Sequence, residues 1–350
     1  MTLQLGLNTF GDLYPGPDGR MLSGAQVIRN VVAEAALADR LGLDFFGIGE
    51  HHREDFAVSS PETVLAGIAT VTERIRLGSA VTVLSSDDPV RVYQRFATVD
   101  ALSSGRAEVI LGRGSFTESF PLFGYPLDQY EALFEEKLQL FDRLRTEGVI
   151  DWEGRLRAPI RGLEVHPRTE SGSLPAWIAV GGSPQSVVRA AHYGLPVIFA
   201  IIGGSPAAFA PFADYYRQAL EHFGKEPQPV AFHSPGYVAE TDEQAREEFF
   251  PHQAYTHDRI GRERGWGPLT RTEFDAMCGP EGAYFVGSPE TVARKIVRSA
   301  AALGAARFDL KYAVGTLDHA RMLRSIELFG TEVRRYVEDM AADLPAGVAG

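Results

Sequence analysis

The sequence is most restrictive in what it lacks. It contains a single cysteine, Cys278, so no disulfide can form within the chain, and this usage is typical of a reducing cytoplasm. No apolar run approaches the roughly 18 residues that a membrane-spanning helix needs. The first residues, MTLQLGLNTF, have neither the basic nor the apolar region of a signal peptide. We therefore predict a cytoplasmic protein without membrane association.

Basic clusters and several catalytic signatures are also missing. The net charge is −12, from 34 Lys and Arg against 46 Asp and Glu, and the two signs are interspersed. Nucleic-acid binding requires a basic face, so it is not expected. There is no G-x-S-x-G nucleophile elbow and no G-x-G-x-x-G fingerprint after the first or fifth predicted strand. A nucleophile triad or a nicotinamide site is therefore not predicted.

The chain does contain strand-like and helix-like segments in alternation over its 350 residues. Hydrophobic residues make up 45% and charged residues 23%, which is sufficient for a large core. The strand-like segments are residues 3–8, 45–49, 75–83, 107–111, 176–180, 197–202, 230–238 and 307–312. Eight strands separated by helices predict an α/β fold, a (β/α)₈ TIM barrel with insertions. The alternative is a six-stranded doubly wound sheet.

Two stretches do not fit the minimal repeat of a single domain that we expect to span residues 1–340. Residues 151–174 are rich in Gly, Arg and Pro, which predicts a surface excursion. Residues 250–281 carry Trp266 and several charges, so they form either a lid over a site or a solvent-facing decoration. Residues 341–350 are rich in Ala and Gly and are predicted to be a frayed tail.

An acid and two imidazoles, Glu50, His51 and His52, close the second predicted strand. In a barrel this end faces the active-site mouth. Strand alternation places His51 on the side of Gly47 and Gly49, which leave room for a ligand or backbone. This favours His51 as the proton-transfer imidazole, the alternative being a structural histidine at a strand end. Three consecutive side chains cannot converge on one ion, so no metal is predicted.

A fixed positive charge, Arg113, follows the fourth predicted strand between two glycines. Strands four and five are neighbours in a barrel, so Arg113 should lie beside the turn formed by residues 181–183. A helix begins there, and its amides, the Ser183 hydroxyl and the guanidinium together predict a phosphate site. The alternatives are a surface ion pair and an ordinary capped turn. Small residues at 78–81 would let a flat ligand lie on strand three, or would simply pack.

The order and spacing of several short motifs resemble those of the bacterial luciferase-like flavin monooxygenases. The resemblance covers most of the chain and is densest over residues 44–124. The motifs are Gly49-Glu50-His51-His52, Asp87-Asp88-Pro89-Val90-Arg91, Leu102-Ser103-Ser104-Gly105-Arg106, Gly112-Arg113-Gly114, Phe120-Pro121-Leu122-Phe123-Gly124 and Gly194-Leu195-Pro196.

The resemblance implies a barrel that binds reduced FMN, supplied by a separate flavin reductase, and uses dioxygen to oxygenate a small organic substrate. Two alternatives are an oxidoreductase that uses the deazaflavin coenzyme F420 and a flavin-binding protein without catalysis; a metal hydrolase is a more distant one. The resemblance also implies a homodimer packed through helices at residues 61–74 and 89–102.

Individual positions follow from the same resemblance. His51 would be catalytic, with Glu50 or a backbone group orienting it. A non-proline cis peptide at Ser79-Ala80 or Ala80-Val81 would support the flavin ring. Luciferase has a reactive cysteine and an acidic residue where this chain has Gly112 and Gly182, so light emission is not expected. The implied cofactor-binding residues are Ser79, Ala80, Val81, Arg113, Gly181, Gly182, Ser183 and Ser186.

Overall fold

The described strands form one closed barrel, two short strands added to its sheet and a separate two-stranded hairpin. The computed structural model describes residues 3–114 and 116–342. The strands are β1 (Gln4–Thr9), β2 (Phe45–Ile48), β3 (Arg76–Ser79), β4 (Thr82–Val83), β5 (Ala107–Gly112), β6 (Val149–Trp152), β7 (Ile160–Glu164), β8 (Ala176–Val180), β9 (Val197–Ala200), β10 (Val230–Val238), β11 (Phe285–Gly287) and β12 (Arg307–Lys311).

The barrel ring runs β1-β2-β3-β5-β8-β9-β10-β12 and closes because β12 pairs with β1. Every pairing around the ring is parallel, and the closing register places Gln4 opposite Arg307. All eight predicted barrel strands are therefore confirmed, and the doubly wound alternative is wrong. The short strand β4 follows β3 and pairs with β5. The short strand β11 pairs with the C-terminal part of β10 outside the ring.

Helices connect the strands and cover the outside of the barrel. They are α1 (Gly24–Arg40), α2 (Pro61–Ala69), α3 (Pro89–Leu102), α4 (Ser119–Phe123), α5 (Tyr130–Thr146), α6 (Pro184–Tyr193), α7 (Ala210–His222), α8 (Asp242–Arg264), α9 (Arg271–Cys278), α10 (Pro289–Leu303), α11 (His319–Leu328) and α12 (Arg334–Ala342). Several begin with proline, which has no amide hydrogen to leave unpaired in the first turn. Among the described residues, no helix is both long and apolar enough to cross a membrane.

The core has two layers, as alternation along the strands requires. Outward-facing side chains such as Phe46 and Ile48 pack against the helices in the main cluster. Inward-facing side chains fill the barrel, and their cluster consists of Phe45, Ile110, Trp177, Ile198 and Ala231. Phe45 and Phe46 thus lie on opposite sides of β2, and side chains fill the interior of the barrel.

Ion pairs occupy the N-terminal end of the barrel interior. Arg307 Nη1 lies 2.7 Å from Glu108 Oε1, and Arg76 Nε lies 3.0 Å from the other oxygen of Glu108. The Arg307 guanidinium is also sandwiched between the rings of Phe45 and Trp177, at 4.1 and 4.4 Å from their centroids. Arg307 and Glu108 are almost fully buried, so side chains fill the barrel at this end.

The two stretches outside the minimal repeat have secondary structure of their own. Residues 151–174 include most of the antiparallel hairpin of β6 and β7, and most of their side chains are at least partly exposed. Residues 250–281 are mostly helical, since α8 continues through Pro251 to Arg264 and α9 follows at Arg271. Most of the predicted tail, residues 343–350, lies outside the described residues.

The homodimer that the family resemblance implies would pack through the helices at residues 61–74 and 89–102, the first of which contains α2. Val64, Leu65 and Ile68 are buried within this chain and belong to its own main core. Their apolar surface is already covered by the barrel, so it does not support a subunit interface. The homodimer remains a prediction from the family resemblance.

Candidate ligand site at the barrel mouth

A cavity of about 1000 Å³ opens at the C-terminal ends of the barrel strands. Its floor comes from strand ends and the residues that follow them, and its outer wall comes from α8, α9 and the residues between them. A site for one small ligand typically measures about 300–1,000 Å³. The cavity is therefore large enough for a cofactor-sized molecule and a second, smaller organic molecule.

His51 faces this cavity from the end of β2, as strand alternation predicts. Aromatic rings surround its imidazole, with the centroids of Phe10 and Phe56 at 4.5 Å and that of Phe116 at 5.0 Å. Burial among these rings, helped by the nearby cations Lys311 and Arg53, lowers the pKa of His51 to about 3. The imidazole is therefore neutral at physiological pH, with one nitrogen that donates and one that accepts.

Glu50 holds the neighbouring histidine instead of His51. Its Oε1 lies 2.8 Å from His52 Nε2, and its Oε2 accepts a hydrogen bond from the Val83 amide at 3.0 Å. The expected orientation of His51 by the Glu50 carboxylate is thus not what the structure shows. Glu50 instead ties the end of β2 to β4, while the His51 backbone amide donates to the Val58 carbonyl at 3.1 Å.

The glycines of β2 admit protein atoms, not a ligand. A Cβ at Gly49 would lie 2.1 Å from the Phe10 ring and 2.8 Å from the Ala80 carbonyl oxygen. A Cβ at Gly47 would meet the Phe45 ring at 2.8 Å and the Ala80 Cβ at 2.9 Å. Of the two alternatives for these glycines, a ligand or backbone, the structure shows backbone in this space. The glycines allow the segment between β3 and β4, which carries Ala80, to approach closely.

Ala80 and Val81 form part of the cavity floor, and the peptide bond between them is cis. This confirms one of the two positions that the family resemblance implied. Ser79 points elsewhere: its hydroxyl is buried, donates to the Ile110 carbonyl at 3.0 Å and accepts from the Ile110 amide at 3.2 Å. Its polar group is used within the sheet, so only Ala80 and Val81 of this trio line the cavity.

Arg113 lines the cavity just beyond β5, and its guanidinium contacts the Glu131 carboxylate of α5. It also lies over the Tyr130 ring, 5.4 Å from the centroid, and Tyr130 donates its hydroxyl hydrogen to the Gly114 carbonyl at 2.7 Å. The Arg113 side chain is 26% exposed and Glu131 is 60% exposed. An incoming anion can therefore reach this arginine, in competition with an exposed carboxylate.

The turn after β8 contributes to the same side of the cavity in part. Gly181 and Ser186 line it, and a Cβ at Gly181 would meet open space. Gly182 and Ser183 are not among the residues that line the cavity in the described part of the chain. The Ser183 hydroxyl donates to Gln185 Oε1 at 2.9 Å, so it neither caps α6 nor faces the cavity. The predicted anion site is thus reduced to Arg113, Gly181 and Ser186.

Sequence reasoning missed two residues of the floor, His233 and Lys311. His233 is inward-facing on β10, and burial together with Lys311 lowers its pKa to about 4. Lys311 ends β12 and lies 3.1 Å from Asp12 Oδ2, which also lines the cavity. The signal was present, because 231, 233 and 235 alternate on one face of a predicted strand, as do 307, 309 and 311.

The outer wall is fastened to the loop after β2 by ion pairs. Arg259 of α8 lies 2.9 Å from Asp55 Oδ2 and 2.6 Å from Glu54 Oε1. Glu263 of α8 lies 2.5 Å from Arg53 Nη2. The 250–281 segment is therefore not a solvent-facing decoration, because it closes one side of the cavity.

Two other kinds of chemistry find little support. Cys278 is buried in α9, and burial raises the pKa of its thiol to about 12, so it is not an activated nucleophile. Within the described ranges, no three His, Cys, Asp or Glu side chains converge in a way that could hold a metal ion.

The fold is a closed parallel barrel whose cavity opens at the C-terminal ends of the strands. An arginine, Arg113, and a neutral, buried imidazole, His51, line this cavity. The protein is therefore a (β/α)₈ barrel with a ligand site at the end where such barrels usually have one. The family model of the luciferase-like monooxygenases matches residues 9–307, and the chain belongs to this family.

Curated relatives match part of the chain. The uncharacterized protein y4vJ of Sinorhizobium fredii is 32% identical over 49% of this chain and 49% of its own length. The alkanal monooxygenase alpha chain of Photorhabdus luminescens is 24% identical over 67% of this chain and 64% of its own length. The chain thus matches about half to two thirds of the length of these relatives.

Solved structures match the fold over nearly the full chain. The monooxygenase RslO1 of Streptomyces bottropensis has a TM-score of 0.82 at 23% identity and covers 95% of this chain and 99% of its own. The oxygenating constituent of 3,6-diketocamphane monooxygenase from Pseudomonas putida, in complex with FMN, has a TM-score of 0.78 at 19% identity over 96% and 99%. A coenzyme F420 dependent reductase of Methanopyrus kandleri has a TM-score of 0.72 at 19% identity over 96% and 100%.

Proposed function

We propose that the protein is an FMN-dependent monooxygenase that uses reduced flavin and dioxygen to oxygenate a small organic substrate. The observation that carries the proposal is one cavity that joins an arginine suited to a phosphate, a floor of small side chains and a neutral imidazole. The family membership of the chain supports the same reading.

The residues of the cavity fit FMN. Arg113 and the Ser186 hydroxyl would bind the phosphate, since a guanidinium and a hydroxyl beside a helix start form a good anion site. Ala80, Val81, Ala179 and Ala200 would lie against the flat ring, because their small side chains leave the floor open. When bound, reduced FMN supplies the two electrons needed to activate dioxygen.

His51 would transfer protons in the part of the cavity where the substrate is oxygenated. Its depressed pKa means that it holds a proton at one ring nitrogen and accepts at the other without carrying charge. The rings of Phe10, Phe56 and Phe116 would keep water away from it. Glu50 would act indirectly, by fixing His52 and β4 beside the floor.

The proposal is tested by titrating the purified protein with FMN and with F420, and then mixing the protein loaded with reduced cofactor with oxygen. We expect micromolar or tighter binding of FMN and substrate-dependent oxygen uptake. Deazaflavin does not sustain oxygen activation, so binding of F420 alone, without oxygen uptake, would assign the chain to the deazaflavin oxidoreductases. FMN binding without turnover of any substrate would indicate a non-catalytic flavoprotein.

A further inference from the structure

The outer part of the cavity has a lining different from that of the floor. The wall made by α8, α9 and the residues between them combines apolar and polar side chains. The apolar ones are Ile260, Trp266, Pro268, Leu269 and Met277, and the polar ones include Thr256, His257, Arg264 and Glu273. The floor contributes small residues and Arg113, and the lining of the cavity as a whole is mostly apolar. A second molecule held in the outer part would therefore be mostly apolar, and the aromatic Trp266 favours one that contains a ring.

One polar side chain among the described residues of this wall is buried. Gln253 of α8 is only 8% exposed and lines the cavity. Its Nε2 donates to the Tyr284 hydroxyl at 3.0 Å, while its buried Oε1 has no hydrogen-bond partner among the described residues. A buried acceptor without a partner is unfavourable, so its retention in a cavity wall indicates a ligand group that donates to it.

His233 presents a second polar edge on the same side of the barrel. Its Nδ1 is buried and has no partner in the described part of the chain, and the ring lines the cavity. Tyr284, the partner of Gln253, directly precedes Phe285, which pairs with Gly236 of the strand that carries His233. Gln253, Tyr284 and His233 thus belong to one sector of the mouth, and we call these three residues the polar sector.

The Gln253 oxygen selects a ligand group that donates a hydrogen bond, because an amide oxygen only accepts. His233 beside it is neutral, since burial and the nearby Lys311 lower its pKa to about 4. Lys311, which pairs with Asp12, and Arg264 also line the cavity. An ionised carboxylate has no hydrogen to donate to the Gln253 oxygen, whereas a hydroxyl can donate to it and also accept a hydrogen bond.

We propose that the outer part of the cavity binds the organic substrate, and that the substrate is a ring-containing, mostly apolar molecule whose neutral hydroxyl group is recognised by the polar sector, with Gln253 as the acceptor. This inference depends on the proposed monooxygenase function, and it names the substrate class of that site.

The test compares two probes, 2-naphthol and its methyl ether, because the ether keeps the ring and the acceptor oxygen but has no hydrogen to donate. Each is titrated by calorimetry into protein loaded with oxidised FMN, which cannot turn over. We expect 2-naphthol to bind at least about tenfold more tightly than the ether, the scale of one satisfied buried hydrogen bond. Gln253→Leu should abolish this preference by weakening 2-naphthol binding alone.

Gln244→Leu is the matched control, because Gln244 begins the same helix and donates to Glu248 away from the cavity wall. It should keep the preference for 2-naphthol. Thermal melting and FMN affinity of each variant establish that the fold is intact. Equal binding of the two probes, no binding of either, or a preference that survives in Gln253→Leu overturns the inference. Failure of the wild type to bind FMN, measured first and without probe, identifies instead a failure of the proposed function.

Discussion

The two ends of the barrel bury ionisable groups to a similar depth and use them differently. At the N-terminal end, the Glu108 carboxylate pairs with Arg307 and Arg76, and the Arg307 guanidinium lies between two aromatic rings. At the C-terminal end, the buried imidazoles of His51 and His233 are neutral and face an open cavity. Burial alone therefore does not distinguish candidate functional residues in this fold, whereas a position on the cavity does.

We expect substitutions at the two ends of the barrel to have different effects. Those at the closed end should change the free energy of unfolding and leave ligand affinity unchanged. Those at the mouth should change ligand affinity or rate more than stability, because their polar groups face the cavity. The predictions below test this separation, beginning with the largest expected effect.

His51→Ala should slow oxygenation by roughly 10²–10⁴-fold, the usual contribution of a general acid or base. FMN affinity should be retained, since Arg113 lies at a different part of the mouth. The measurement is the rate of product formation with supplied reduced FMN. His52→Ala is the control and should be milder, because the His52 ring is held by Glu50. A fully active His51→Ala enzyme with an inactive His52→Ala enzyme would show that the wrong histidine is assigned.

Glu108→Gln should destabilise the fold by about 3–5 kcal/mol, the range for removing one partner of a buried ion pair. The Arg307 charge would remain buried without its closest carboxylate. Chemical unfolding measures the change, and FMN affinity should not move. Glu147→Gln removes a partner from the exposed Arg143 pair, so it should change stability by under about 1 kcal/mol. Equal effects of the two variants would contradict the account of the closed end.

Asp309→Asn should make stability less sensitive to pH. Burial raises the pKa of Asp309 to about 7 in the folded protein, above its ordinary value of 3.8. The folded state binds this proton more tightly than the unfolded state does. The free energy of unfolding therefore falls as the pH rises from about 4 through 7. The wild type should lose up to about 2 kcal/mol more than the variant between pH 5 and pH 8. Parallel urea titrations of both proteins at these two pH values measure the difference, and parallel losses would refute it.

Glu131→Gln should tighten FMN binding a few-fold, because the phosphate then no longer competes with a carboxylate for Arg113. The gain is small because an exposed ion pair contributes under about 1 kcal/mol. Glu135→Gln is the matched control, since Glu135 pairs with Arg189 and Tyr193 on α6. Calorimetric titration with FMN and with riboflavin distinguishes the variants. Tighter riboflavin binding in Glu131→Gln would mean that the effect does not involve the phosphate.

The sequence was sufficient for the barrel because each strand and helix carries its own periodicity and end signals. It was also sufficient to place His51 and Arg113 at one mouth, since strand ends of a barrel meet there, whereas the floor at Ala80 and Val81 was implied only by the family resemblance. The orientation of single polar groups was not accessible. Glu50 binds His52, and Ser79 and Ser183 bond within the protein, and these choices depend on neighbours far away in sequence.

The cavity wall made by α8 and α9 was also beyond the sequence. Residues 250–281 have mixed charges and a proline within a helix, so local patterning gave no firm helix there. Their contacts at the mouth are with residues far away in sequence, such as the ion pair of Arg259 with Asp55 in the loop after β2. Gln253 becomes a candidate ligand contact only once that path places it at the cavity.

The central claim is that Arg113 holds the phosphate of a flavin at the open end of the barrel. It is tested most directly by calorimetric titration of wild type and Arg113→Ala with FMN and with riboflavin. We expect Arg113→Ala to weaken FMN binding by about 2–4 kcal/mol, which is roughly 30–1,000-fold, and to leave riboflavin affinity unchanged. Unchanged FMN affinity, or an equal loss for both ligands, would contradict it.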